Sequence, residues 1–177
     1  TRLDRIIDLV FATAEDAQNA EVEEEGETEV EEVAVEPRAN FHAAILPRLE
    51  KHFSQPLVKR SRVQWGSADD QLLLSCQVSK LFDKGNAHFW FGLKRTTWES
   101  LKDHNNAYCA FGLGSPERVV LLPCAFLARH LDDFFTSPDS EGEVLHWHVR
   151  FVNTGQGVAL LLQRDKSELD VTEYLLK

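Results

Sequence analysis

The chain has 177 residues, 43% hydrophobic and 10% aromatic, enough for one domain with a sizeable core and some length left over. Its net charge of −10 is divided unevenly: residues 1–36 hold 13 Asp/Glu against 2 Arg, and residues 37–177 hold 16 Asp/Glu against 17 Lys/Arg. No apolar run reaches the ~20 residues of a bilayer span and no secretory leader is visible, so a membrane partner is not expected and a cytoplasmic location is.

The start at Thr1 and the lack of Met suit a processed chain or an excised fragment. Cys76, Cys109 and Cys124 each sit in an apolar stretch, with no CxxC pair, which suits reduced, buried thiols rather than a structural zinc site.

In chain order, Leu3, Ile6, Ile7, Val10 and Phe11 recur at helical spacing, so an amphipathic helix is expected at residues 1–20, free to dock on the domain or on a partner. Residues 21–36 are an acidic low-complexity run. Like charges repel along it, which predicts a disordered linker, or alternatively a mimic of nucleic acid that shields basic groups. A single α/β domain is expected over 37–177. It opens with Phe41, Ile45, Leu49 and Phe53 on one helical face, with Pro47 marking a kink or a late start. "PLVKRSRVQW" alternates as a strand, "GSADD" is a turn, and "QLLLSCQVSKLF" completes a hairpin. "FDKGN" turns again into the strand "AHFWFGLK", and Thr96 to Glu99 forms a capping box for the next helix. "AYCAFGLG" and "RVVLLPCAF" are strands joined at Gly114-Ser115-Pro116. A helix, the strands "EVLHWHVRFV" and "GVALLLQRD", and a short closing helix follow. The class is α/β (α+β), a mixed central sheet flanked by helices.

This order resembles the core of the PD-(D/E)xK restriction-endonuclease-like superfamily over roughly residues 40–135. The shared elements are a helix, a strand, a turn with Asp, a strand ending in Lys80, an aromatic strand and a helix. The resemblance implies a restriction-endonuclease-like fold that binds DNA. It also implies a catalytic set of Asp70 (or Asp69), Gln77 and Lys80. Carboxylates, Asp70 with Glu50 as a further contributor, would hold Mg²⁺, which activates water for attack on a phosphodiester. The pattern places a carboxylate two positions before the lysine. This chain has Val78 there and Gln77 one place further back, so the implied site is altered or inactive. Strand alternation also puts Lys80 with Leu74, Cys76 and Val78, and Gln77 with Ser75 and Ser79. The runs "VSK", "FWF" and "HWHV" also resemble a group of bacterial proteins without an assigned activity.

Lys59, Arg60, Arg62, Ser79, His88, Trp90 and Lys94 are the candidates for contact with nucleic acid. On "AHFWFGLK", His88, Trp90 and Lys94 share one face, a combination that stacks a base and neutralises a phosphate; the alternative is Trp90 packed beneath a covering layer. His146 and His148 share a strand face at metal-compatible spacing, with His130, Asp132 or Asp133 as a third ligand; hydrogen-bonded histidines are the alternative. No GxSxG, GxGxxG or P-loop pattern occurs. The expected function is a nucleic-acid-binding domain that resembles restriction-type nucleases, with Mg²⁺-dependent DNA cleavage at an altered or inactive site. The alternative is a non-catalytic interaction or regulatory module, with a protein partner or a second copy engaged through residues 2–17.

Overall fold

The computed structural model describes residues 31–82 and 87–177. The helix expected at 1–20, the linker up to residue 30 and most of the "FDKGN" turn lie outside the described residues. Two units make up the chain, Thr1–Asn40 and Phe41–Lys177. Helix α1, Glu31–Phe53, runs through the end of the expected linker and continues past Pro47 without a break.

In the second unit the strands form two sheets where one central sheet was expected. Sheet A has the order β1-β2-β3-β6-β7: Val58–Lys59, Gln64–Gly66, Leu73–Ser79, Ala107–Leu113 and Val119–Pro123. Sheet B runs β11-β10-β9-β5-β4: Ser167–Asp170, Val158–Leu162, Val144–Asn153, His88–Lys94 and Leu81–Phe82. Strand β8, Thr136–Pro138, also pairs with β9. Two short helices, α2 (Arg95–Leu101) and α3 (Cys124–Ala128), bury Trp98, Leu101, Phe126 and Leu127 in the core between the sheets.

Alternation assigns each strand face. Strands β3 and β6 are parallel, with Leu74, Cys76 and Val78 beside Tyr108, Ala110 and Gly112. That face packs against Phe41, Ile45 and Leu49 of α1. Gly112 is required there, because a Cβ at this position would lie 2.5 Å from Cζ of Phe41. The opposite face carries Cys109, Phe111 and Leu113, which meet Phe89, Phe91 and Leu93 of β5 and Val149 and Phe151 of β9. The layers are therefore helix, sheet A, sheet B. A parallel pair needs a crossover, and this one contains β4, β5 and α2, so it carries the chain into sheet B and back.

Two local expectations give way to tertiary geometry. "PLVKRSRVQW" folds on itself: Val58 and Lys59 pair with Gly66 and Trp65 around a turn at 60–63. The Thr96–Glu99 box is not used as a cap. The helix starts two residues earlier, at Arg95, with Lys94 at the N-cap and no side-chain cap bond. Thr96 already has helical neighbours on both sides, where its hydroxyl cannot serve as N-cap.

Candidate nucleic-acid interface

Strand β3 leaves sheet A at Ser79, and after Lys80 the chain enters sheet B as β4. Register pairs Phe82 with His88, so both side chains lie on one face of the β4–β5 hairpin. Their rings stack at 5.7 Å with 24° between planes, and Lys80 Nζ sits 5.1 Å from the centre of the Phe82 ring. Lys80 is exposed, Phe82 and His88 are half-buried, and neighbouring Leu81 is 46% exposed. A cation, a phenyl ring and an imidazole thus form one partly open ledge.

Ser79 and Gln77 do different work. Their side chains face sheet B and meet the edge of β5 that β4 leaves uncovered. Ser79 Oγ accepts the Trp90 backbone N–H at 3.1 Å and donates to the Lys80 carbonyl at 2.8 Å. Gln77 Nε2 donates to the Gly92 carbonyl at 3.1 Å, while its buried Oε1 has no hydrogen-bond partner. An open strand edge presents unpaired backbone groups, and these two side chains pair them. This accounts for polar residues on a core-facing strand.

Trp90 is 6% exposed, so its indole is not available to stack on a base. It meets the His148 ring edge-on at 5.7 Å and 78°, and its Cη2 would lie 3.0 Å from a Cβ on Gly92. The glycine leaves room for the indole. His148 Nε2 is 2.7 Å from Ser137 Oγ, and both His146 and His148 are buried. His130 pairs with Asp133 at 3.3 Å, and among the described residues no three His, Cys, Asp or Glu side chains gather as a metal site.

The turn at 67–71 stands at the other end of β3. Asp70 adopts φ +56° and lies 2.5 Å from the Arg60 guanidinium, which also donates to the Ser67 carbonyl at 2.7 Å. Asn106 N–H donates to His104 Nδ1 at 3.3 Å, so Nε2 carries the proton that it donates to the Asp70 carbonyl at 2.7 Å. Asp69 accepts the Ser67 hydroxyl at 2.6 Å and the Gln71 N–H at 3.2 Å; these bonds hold its carboxyl below the ordinary value. Lys59, on β1, and Arg62, in the turn at 60–63 beside the middle of β3, are exposed, and Lys94 is exposed at the far end of β5.

Asp70 and Lys80 therefore flank the seven residues of β3, about 20 Å apart at the usual strand rise. The structure does not bring them into one hollow, and Gln77 between them is tied to β5. Glu50 Oε1 accepts the Leu57 N–H at 2.9 Å in a separate contact. Among the described residues no three His, Cys, Asp or Glu side chains gather about Asp70 or Glu50, and with Asp70 paired to Arg60 and Gln77 to Gly92 this donor set does not fit Mg²⁺. Phe82 was absent from the expected set; the register of the folded hairpin sets it opposite His88.

No family model matches the chain, nor does any curated protein or solved structure.

Proposed function

We propose that the Phe41–Lys177 unit binds single-stranded nucleic acid through the β4–β5 hairpin and does not cleave it. The Lys80–Phe82–His88 ledge carries this reading. A partly exposed aromatic ledge stacks a base of any identity, and the cation at its edge takes the phosphate that follows. From the resemblance to the PD-(D/E)xK superfamily the proposal keeps affinity for nucleic acid and leaves out hydrolysis, since Asp70 and Lys80 stand at opposite ends of β3. Lys59, on β1, and Arg62, in the turn beside the middle of β3, supply, at most, a second phosphate contact.

The test is fluorescence anisotropy with labelled single-stranded and duplex oligonucleotides over a salt series. Affinity for the single strand falls as salt rises. Phe82→Ala weakens binding by about 1–3 kcal/mol, the usual worth of one stacked base. Lys80→Ala lowers the salt slope by roughly 0.7, the share of one phosphate contact on a single strand. A wild type with no affinity at low salt ends the proposal. Binding unchanged by Phe82→Ala and Lys80→Ala, but lost on Lys59→Ala/Arg62→Ala, moves the interface to the β1–β2 hairpin.

A further inference from the structure

Cys109 and Cys124 form a pair of thiols that the proposed binding surface does not use. Cys109 lies on β6 and Cys124 is the first residue of α3, just past the end of β7. Their Sγ atoms are 4.0 Å apart, and both side chains belong to the core between the sheets. The two differ in access. Cys124 lines a cavity of about 390 Å³, which Lys102, Asp103, His104, Tyr108 and Ala128 also line; Cys109, 1% exposed, is not among its lining residues. A cavity that large admits molecules of the size of water or hydrogen peroxide.

We propose that Cys109 and Cys124 are a peroxide-responsive pair that closes to an intramolecular disulfide, with Cys124 as the attacked thiol and Cys109 as the resolving one. In the first step Cys124 Sγ, as thiolate, attacks one oxygen of a hydroperoxide. The O–O bond breaks, the other oxygen leaves as water or alcohol after taking a proton, and Cys124 becomes a sulfenic acid. In the second step Cys109 Sγ attacks that sulfur. The S–O bond breaks, and the leaving hydroxide takes the Cys109 proton as water. Both sulfurs are oxidised and the peroxide is reduced, so the electrons balance.

The environment divides the roles. The hydrogen bond to Cys124, then burial, pushes the Cys109 thiol well above its ordinary value, so Cys109 keeps its proton. Cys124, and not Cys109, is among the residues that line the cavity, which assigns Cys124 the first attack. Bonding needs the sulfurs to close from 4.0 Å to about 2.05 Å, with Cys124 at the first residue of α3. Cys76 is the internal control. It lies in the other cluster, under α1, and burial pushes its thiol up to about 12.

The experiment treats the full chain, under conditions where circular dichroism shows it folded, with hydrogen peroxide in slight excess, and reads intact mass and peptide maps. The expected result is loss of two hydrogens, a Cys109–Cys124 linked peptide, reversal by dithiothreitol and an unmodified Cys76. Cys109→Ser stops at a sulfenic acid on Cys124 that dimedone traps, and Cys124→Ser gives neither product. Three thiols that stay free, or Cys76 modified as fast as the pair, would overturn the proposal. The wild-type map decides the matter even if a serine variant fails to fold.

Discussion

Ser79→Ala separates a structural seam from a binding contact. In the wild type the Ser79 hydroxyl, 7% exposed, is the acceptor for the Trp90 N–H on the edge of β5 beyond the reach of β4. Alanine leaves that buried donor without a partner, at a cost of about 1–3 kcal/mol. For a chain of this length each kcal/mol lowers Tm by roughly 2–4 °C. Gln77→Ala costs less. It loses the bond to Gly92 but also removes the buried Oε1 that has no partner. Urea unfolding and amide exchange at Trp90 are the assays. Ser79→Ala is expected to lower the midpoint, leave m unchanged, and speed exchange at the Trp90 amide. Unchanged stability and protection, together with weakened binding of nucleic acid, would show that Ser79 faces a ligand and that the seam is misread.

Three other outcomes follow from the same geometry. Gly112→Ala forces its methyl into the Phe41 ring and destabilises by about 1–3 kcal/mol; in the Gly112→Ala/Phe41→Ala double mutant the two costs are less than additive, which a thermodynamic cycle measures. Asp70→Asn changes stability by under ~1 kcal/mol, because the Arg60 pair is exposed to solvent and asparagine tolerates the left-handed backbone. It leaves nucleic-acid affinity unaltered, and a Mg²⁺-dependent cleavage abolished by this substitution would refute the placement of Asp70 outside any site. Hydrogen bonds from Ser67 and Thr172 depress the carboxyls of Asp69 and Asp170 below 3.8. Their contribution is therefore complete above that value and lost as pH falls through the lower folded values. Stability at neutral pH is indifferent to them, and thermal melts show it declining only below that carboxylate range; a decline beginning near pH 6 would contradict the assignment.

Much of the local structure was legible because it depends on periodicity. The four-residue spacing of Phe41, Ile45 and Leu49 identified the buried face of α1, and they pack on sheet A. Alternation correctly split β3 into one face with Cys76 and Val78 and another with Gln77 and Ser79. It likewise set Phe89, Phe91 and Leu93 against Trp90 and Gly92. Less legible was the use of the polar face. A hydroxyl and an amide near a lysine read equally well as a site or as a seam, and only the nearby β5 backbone distinguishes them. The Trp90 indole posed the same ambiguity, which its burial resolves.

The sequence by itself determined which residues turn inward along each strand and helix, because those faces follow from backbone geometry within a few residues. It also determined where negative charge is concentrated. Only the tertiary structure decided that the strands divide between two sheets, that Asp70 and Lys80 lie at opposite ends of β3, and that Phe82 meets His88. These are contacts set by crossovers and by which edge meets which. The free energy that selects them comes from burial summed over many distant residues, and no short window of sequence records that sum.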